Sequence, residues 1–215
     1  MQTSVIGYPR IGASRELKFA VEKYFKGEIG SEELSRIGAD LRSAHWNVQK
    51  VHGVDFIPSN DFSFYDHVLD TAVLFNLIPD RYRALELDSL DTYFAMARGY
   101  QGPRGDVKPL AMKKWFNTNY HYLVPEIDDT AQIQVAGSKI FDEFEEAKRQ
   151  QLETKPVLVG AFTLLKLAKF TGGKRVEHVI ADIVRAYQDV LNRLGKLGAR
   201  WIQLDEPYLG TDLDR

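Results

Sequence analysis

The sequence predicts an α/β protein with a mostly parallel sheet. Short apolar runs, which are typical of strands, alternate along the chain with longer segments in which apolar residues recur at helical spacing. We recognise about six strands in this way, and one of them, residues 156–160, is apolar throughout, as in a strand that is buried on both faces. This alternation of strands and helices favours a layered α/β architecture.

The composition indicates one globular domain and excludes several functional classes. Of the 215 residues, 44% are hydrophobic and 27% are charged, and the net charge is −2. Such a chain can bury a core, has no basic field for nucleic acid or anionic lipid, and has no apolar run near the ~20 residues of a membrane span. Cysteine is absent, which excludes disulfides, thiolate nucleophiles and sulfur-ligated zinc. No signal segment is visible either, and we expect a cytoplasmic protein.

The first part of the chain predicts two strands and two helices. A strand at residues 4–7 leads through a Gly/Pro turn into a helix that we expect Ser14 to cap. A second helix begins near Ser31 and ends before Gly53, and a second strand follows at residues 55–58. An aromatic, acidic loop comes after that strand.

The middle of the chain is less regular. Helical spacing predicts helices at residues 67–77 and 90–98, and a Gly/Pro-rich loop follows at residues 99–109. Residues 112–122 alternate with a period of two, which predicts a strand, and a short strand is expected at residues 132–136.

The last part contains the clearest helix. Ten apolar residues form one stripe over residues 176–197, and Gly198 ends the helix. An acidic helix at residues 140–152 and the apolar strand precede it, and a final strand lies at residues 200–204. We expect the acidic side chains of the earlier helix to form a solvated face: Asp142, Glu143, Glu145 and Glu146.

Two architectures fit this order of elements. Strands with helical connections occur in doubly wound sheets and in (βα)₈ barrels, and a complete barrel takes about 250 residues. The first two strands are followed by long insertions, and the sequence ends just after a strand. We therefore interpret residues 1–215 as an incomplete TIM-type (βα)₈ barrel with about six βα units.

The tract from Arg15 to Lys18 is a candidate anion site. Arg15 and Lys18 fall in the first turn of a helix, where the helix dipole disfavours cations. The placement makes sense if both bind an anion together with the helix amides. The alternative is that they are two solvated charges beside Glu16.

A second unusual tract is Lys113–Tyr122. On a strand, alternate residues share a face, so one face would be aromatic with Lys114 at its end. The other face would carry Trp115 with two asparagines and His121, which need partners when buried. A pocket and a hydrogen-bonded structural network explain this pattern equally well.

The remaining chemistry-bearing residues give weak signals. Asp205 and Glu206 end the last strand, at the rim where (βα)₈ enzymes place their active sites, but neighbouring strand residues point to opposite faces. They can bind a substrate, cap a helix or form ion pairs. The five histidines have no metal-ligand spacing, so we expect no metal site and no catalytic residue in this chain.

Together these tracts resemble the N-terminal region of cobalamin-independent methionine synthases, and the resemblance spans essentially the whole chain. The segments that carry it are Gly7-Tyr8-Pro9-Arg10-Ile11-Gly12, Arg15-Glu16-Leu17-Lys18, Asp61-Phe62, Tyr65-Asp66-His67-Val68-Leu69, Lys114-Trp115-Phe116-Asn117-Thr118-Asn119-Tyr120-His121-Tyr122, Val124-Pro125-Glu126, Pro156-Val157-Leu158 and Gln203-Leu204-Asp205-Glu206-Pro207.

The resemblance implies a large enzyme of two (βα)₈ barrels. The family transfers a methyl group from 5-methyltetrahydropteroyltriglutamate to homocysteine and forms methionine without cobalamin. Zinc, bound in the C-terminal barrel, activates the homocysteine thiol. That barrel is absent from the 215 residues, so we expect this part to bind no zinc, to be inactive alone and to have small-molecule substrates and the missing barrel as partners, with no nucleic acid or membrane.

The resemblance also assigns substrate-binding residues. The family's folate-binding tract matches Arg15, Glu16, Leu17 and Lys18, and its folate-binding lysine matches Lys114. A polyglutamate tail is the anion that these cations would bind. Two alternatives stay open. One is a stand-alone, non-catalytic folate- or anion-binding module. The other is a barrel enzyme of shared ancestry such as a uroporphyrinogen-type decarboxylase, against which the tract Trp115–Tyr120 argues.

Overall fold

In the computed structural model, residues 2–212 are described, and they form two compact units. The first unit comprises the segment up to Phe64 together with Lys139–Val157 and Leu197–Gln203. The second comprises Tyr65–Ser138, Leu158–Lys196 and the segment from Leu204 onward. Each unit is therefore assembled from stretches that are far apart in sequence.

Helices and short strands come in groups in the first part of the chain and alternate singly from residue 139 onward. The helices are α1 (Glu16–Phe25), α2 (Ser31–Val51), α3 (His67–Leu74), α4 (Asp80–Arg83), α5 (Ser89–Arg98), α6 (Lys139–Arg149), α7 (Ala161–Leu167) and α8 (Val176–Leu197), followed by a 3₁₀ turn at Pro207–Gly210. The strands are β1 (Ile57–Ser59), β2 (Tyr100–Gly102), β3 (Gly105–Val107), β4 (Met112–Lys114), β5 (His121–Leu123), β6 (Glu126–Ile127), β7 (Thr154–Val159), β8 (Lys169–Phe170) and β9 (Gln203–Asp205). No helix within residues 2–212 is long and apolar enough to cross a membrane.

The main sheet has the strand order β1-β7-β9. β1 and β7 are parallel, with Ile57 opposite Thr154 and Ser59 opposite Pro156, and β6 and β8 form a second parallel pair. These parallel strands confirm the α/β class. Among residues 2–212 the strands form no closed barrel, and the incomplete (βα)₈ barrel stays a prediction.

The core of the first unit surrounds the indole of Trp46. Trp46 packs with Ile57, Ala147 and Leu152, and its Nε1–H donates to the carbonyl of Pro58 at 3.0 Å. The hydrogen bond satisfies the only polar atom of a side chain that is 2% exposed. Trp46 thus ties α2 to the strand that follows it.

In the second unit, α8 is held by Tyr187. Its ring stacks on Phe75 with centroids 4.5 Å apart, and its hydroxyl donates to the Val159 carbonyl at 2.6 Å. Because Val159 ends β7, the contact anchors the helix at the end of a strand. The bounds of α8, Val176–Leu197, are those expected from its apolar stripe, and Gly198 follows in the left-handed region at φ 96°.

Several predicted elements are wrong. The strand expected at residues 4–7 is only a single parallel bridge between Ser4 and Phe56. The strand expected at residues 132–136 does not form. The N–H groups of Ala136 and Gly137 instead donate to the carbonyl of Leu74, the last residue of α3. The loop expected at residues 99–109 contains the antiparallel hairpin β2–β3.

The two faces of α8 provide a stability test. Ile183 is 1% exposed, whereas Ile180, three residues earlier, is 51% exposed. We expect Ile183→Ala to lower the free energy of unfolding by about 2–5 kcal/mol, because it leaves a cavity, and Ile180→Ala to lower it by less than ~1 kcal/mol. Urea unfolding of both variants checks this, and equal losses would contradict the placement of the helix.

Candidate functional site

The Arg15–Lys18 tract forms the first turn of α1. Arg15 is the N-cap residue, with φ at 62°, and its N–H donates to the Gly12 carbonyl at 3.2 Å. The expected cap at Ser14 is wrong, because the turn at Gly12 moves the start of the helix one residue on; the Ser14 N–H instead donates to the Glu16 carboxylate at 3.0 Å.

The four side chains of this tract have different surroundings. Leu17 is 2% exposed and packs with Leu41 and Phe62, so its side chain belongs to the core. Its N–H donates to the Ile11 carbonyl at 3.2 Å, so that first-turn amide is used within the chain and not held open for an anion. The structure therefore separates Leu17 from the charged members of the tract.

Arg15 and Lys18 are on the surface. The Lys18 ammonium lies 3.8 Å from the Glu22 carboxylate. The Lys18 ammonium and the Arg15 guanidinium lie 6.0 and 5.9 Å from the centroid of the Phe19 ring. Both cations are exposed, and an exposed pair such as Lys18–Glu22 contributes little to stability. They are therefore available to an anionic ligand.

The turn before this tract is held by a half-buried carboxyl group. Asp61 Oδ2 accepts the Tyr8 N–H at 2.8 Å, and the Tyr8 ring lies 4.7 Å from the ring of His45. The pKa of Asp61 is raised to about 6, mainly by burial and in smaller part by the nearby Glu143 charge, while the Tyr8 N–H opposes the shift. Burial also lowers the pKa of His45.

Glu143 corrects one expectation about the acidic helix. It is 4% exposed rather than solvated, and its carboxylate lies 3.2 Å from Lys139 Nζ and 3.5 Å from Arg42 Nη1, and accepts the Asn60 N–H at 3.1 Å. Arg42 also donates to Glu146 at 2.7 Å. The missed signal was periodicity: position 143 falls on the buried stripe of α6, which is made by Ile140, Phe141, Phe144 and Ala147.

Lys114 lies in the second unit, on a hairpin. β4 and β5 are antiparallel, with Lys114 opposite His121, and the Trp115 N–H donates to the Tyr120 carbonyl at 2.7 Å. The single strand expected at residues 112–122 is wrong, because the chain reverses at Phe116, where φ is 54°. Lys114 is exposed, and so are the polar residues that follow it, so they form neither a buried network nor the wall of a buried pocket: Asn117, Thr118, Asn119 and His121.

The structure thus brings Arg15, Glu16, Leu17 and Lys18 together in one turn of the first unit, and places Lys114 in the second. Arg15 and Lys18 are exposed in the first unit, and Lys114 is exposed in the second.

Sequence reasoning missed a buried acid beside this hairpin. Asp66 is 2% exposed and is the N-cap of α3; its Oδ2 accepts the Leu69 N–H at 2.9 Å and the Leu123 N–H at 3.1 Å. Its other oxygen, Oδ1, is buried without a hydrogen-bond partner, 3.6 Å from His67 Nδ1. Burial raises the pKa of Asp66 to about 7.

Glu206 has a structural role. Its Oε1 accepts the Phe162 N–H at 3.0 Å and its Oε2 accepts the Thr163 N–H at 2.7 Å, at the start of α7. A carboxylate at a helix N-terminus satisfies amides that have no partner inside the helix. The backbone carbonyl of Asp205 accepts the Gly160 N–H at 2.8 Å. Glu206, through its carboxylate, and Asp205, through its backbone, therefore stabilise the β7–α7 connection.

The donors of this chain do not fit the zinc ion that the resemblance implies. Within residues 2–212, no three His, Asp or Glu side chains are grouped so that they could hold a metal ion, and the sequence has no cysteine. That the chain binds no zinc stays a prediction.

Comparison with known families decides the assignment. The profile of the family described as "Cobalamin-independent synthase, N-terminal domain" matches residues 2–215. The chain belongs to this family. The resemblance that the sequence tracts indicated is therefore confirmed.

Relatives at high identity cover the whole chain. They include proteins named 5-methyltetrahydropteroyltriglutamate–homocysteine methyltransferase from Campylobacter jejuni subsp. doylei, 55% identical over 215 residues, and from Streptococcus thermophilus, 54% identical over 213 residues. A protein of the same name from Streptococcus suis is 56% identical over 213 residues. The chain spans 28% of the length of each of these relatives.

The raised pKa of Asp66 predicts an unusual dependence of stability on pH. The folded protein binds the Asp66 proton more tightly than the unfolded chain does. The contribution of Asp66 to the free energy of unfolding is therefore complete below pH ~4, and it is lost as the pH rises from 3.8, the ordinary pKa of aspartate, to about 7. Over this pH range the free energy of unfolding of the wild type should fall by a few kcal/mol on account of Asp66. In Asp66→Asn, which keeps an acceptor oxygen but has no titrating group, we expect this fall to disappear.

The measurement is the free energy of unfolding from pH 4 to about 7.5 in wild type and variant. Asp189→Asn, which removes an exposed carboxylate of the same unit, is the control and leaves the slope unchanged. Parallel curves for wild type and Asp66→Asn would contradict the assignment of a raised pKa to Asp66.

Proposed function

We propose that this chain is the N-terminal part of an enzyme that transfers the methyl group of 5-methyltetrahydropteroyltriglutamate to homocysteine and forms methionine. The observation that carries the proposal is the match of residues 2–215 to the N-terminal domain family, together with relatives of that printed name at 54–56% identity. These substrates are small metabolites, and we place the enzyme in the cytoplasm.

In this proposal, the chain contributes binding of the polyglutamate tail. Arg15, Lys18 and Lys114 are exposed cations, and a tail with several carboxylates is a multivalent anion. Glu16 and Leu17 act differently: Glu16 accepts the Ser14 N–H and Leu17 fills the core, so both hold the turn on which Arg15 and Lys18 stand. In this proposal the contact with the tail is electrostatic, and the apolar packing of α1 holds the two cations in place.

The proposal places zinc and the homocysteine site outside these 215 residues. The described side chains do not provide a set of zinc ligands, and the family's description, "cobalamin-independent", fits an enzyme without cobalamin. No step of the methyl transfer itself is assigned to a residue of this chain.

The tail-binding role is tested by three substitutions in the complete enzyme. We expect Arg15→Ala, Lys18→Ala and Lys114→Ala each to weaken binding of the triglutamate substrate about tenfold or somewhat more, and to weaken binding of the monoglutamate much less. A charge-assisted contact is worth about 1.5–3 kcal/mol, and exposure brings the value toward the low end. The measurement is substrate affinity for both tail lengths at two ionic strengths, since salt should reduce the difference.

A matched control is Arg36→Ala, which removes an exposed cation of the first unit that pairs with Glu33 and Asp40. It should leave both affinities unchanged. If the three test variants lose monoglutamate and triglutamate binding equally, these residues contact the pterin or support the fold. If they lose neither, the cations are solvated charges only.

The division of labour gives a second prediction. Purified residues 1–215 should produce no methionine from the triglutamate substrate and homocysteine, with or without added zinc, because the proposed metal site lies elsewhere. Calorimetry should detect no stoichiometric zinc. Methionine above background, or one tight zinc per chain that is lost on substitution of a pair of histidines, would refute the division.

A further inference from the structure

Asp66 joins three elements of the second unit, two through its carboxyl group and one through its backbone. Its Oδ2 caps α3 through the Leu69 N–H and holds β5 through the Leu123 N–H. The N–H of Asp66 donates to the hydroxyl of Tyr93, on α5, at 3.1 Å. The end of β5 therefore depends on where this one side chain lies.

The second oxygen of Asp66 has no donor. Oδ1 is buried without a hydrogen-bond partner, and a buried polar atom left in this way carries a desolvation cost. His67 Nδ1 lies 3.6 Å away, which is too long for a hydrogen bond but needs only a small movement of the ring to become one. A proton held between the two atoms would give Oδ1 the hydrogen bond that it lacks.

His67 in turn contacts the far end of the same hairpin. Its ring is 4.7 Å from the ring of Trp115, edge to face, and 5.9 Å from that of Tyr120. Trp115 directly follows Lys114, and its N–H closes the turn onto the Tyr120 carbonyl. Asp66 thus holds one end of the hairpin and His67 packs against the other.

We propose that Asp66 and His67 form a positioning pair, in which a proton held between Oδ1 and Nδ1 fixes the β4–β5 hairpin and thereby the position of Lys114. The pair touches no substrate and acts through the hairpin. This inference rests on the proposed role of Lys114 in binding the anionic tail.

The surroundings restrict which groups exchange this proton. Asp70, from α3, Tyr93, from α5, and Tyr122, from β5, face the pair; Tyr208 acts on Tyr122. Burial raises the pKa of Tyr93 and of Tyr122, so both phenols keep their protons at neutral pH.

Because Oδ1 and Nδ1 lie 3.6 Å apart, the proposal requires the two neighbouring groups to titrate as a coupled pair, and the pKa of Asp66, raised to about 7, allows this near neutral pH. Near neutral pH the pair can hold one proton in the Oδ1–Nδ1 contact. At lower pH both groups are protonated, two donors meet without an acceptor, and the contact is lost. Lys114 should then be held less well.

The first experiment follows the imidazole signals of the full 215-residue chain by NMR as a function of pH, with the His67 signal assigned from His67→Gln. We expect a two-step titration in wild type and a single step, with its midpoint at lower pH, in Asp66→Asn. Asn keeps the acceptor for the Leu69 and Leu123 amides. If Asp66 were only a structural cap, Asp66→Asn would therefore leave the His67 titration unchanged, and an unchanged titration would overturn the proposal. His178→Gln, which changes an exposed histidine of the same unit, is the control.

The second experiment measures, in the complete enzyme, the preference for the triglutamate over the monoglutamate substrate between about pH 7.5 and pH 5.5. Wild type should lose up to about tenfold of this preference at the lower pH, which corresponds to one charge-assisted contact. His67→Gln and Asp66→Asn should lose less of this preference at the lower pH. Because the carboxylates of the ligand titrate alike in all variants, the difference between wild type and variants measures the effect of the Asp66–His67 pair.

The outcomes separate this inference from the proposed function. A coupled His67 titration with no effect of Lys114→Ala on tail preference would refute the tail-binding role of Lys114 and leave the pair as the support of the hairpin. An uncoupled titration together with a normal effect of Lys114→Ala would refute the pair alone. If Asp66→Asn does not fold, the pH profile of His67→Gln decides: a profile identical to wild type overturns the pair.

Discussion

A carboxylate that is removed from water must be surrounded by hydrogen-bond donors, and this constraint shapes both units. Asp61 takes the N–H of Tyr8, Asp66 takes two amides from α3 and β5, and Glu206 takes two amides at the start of α7. The donors lie on a segment without regular secondary structure, in the first turn of a helix, or at the last residue of a strand, as Leu123 does. These wholly or partly buried acids thus supply hydrogen bonds that the backbone of these connections does not make within a sheet or helix.

The elements that could be predicted are those whose buried residues recur with a regular period over a long stretch of sequence. α8 extends over the residues that its apolar stripe indicates, and α2 begins at Ser31 as expected. The hairpin was missed because a strand period of two continues through Phe116, although the chain reverses there in the left-handed region. Backbone reversal at a non-glycine residue has no compositional signal, and tertiary contacts decide it.

The candidate site was predictable in its cations and not in its supports. Arg15, Lys18 and Lys114 carry charges that the sequence displays directly, and the structure leaves all three exposed. Glu143 and Asp66 had been expected to lie in a solvated face or in a loop, because an acid is usually exposed. Their burial depends on partners more than fifty residues away, such as Asn60 and Leu123, and pairings at that separation are set only when the chain has folded.

The left-handed backbone at Arg15 has an evolutionary consequence. Where the chain needs this conformation elsewhere, it often uses residues that tolerate it, such as Asn60, Asn76 and Gly12. A residue with a Cβ atom at φ 62° costs about 1–2 kcal/mol that glycine would avoid, so Arg15 is a position where selection for thermal stability and selection for charge oppose each other. Random libraries of this chain that are selected only for heat resistance should drift toward glycine or asparagine at residue 15, and libraries selected through the ligand should retain arginine.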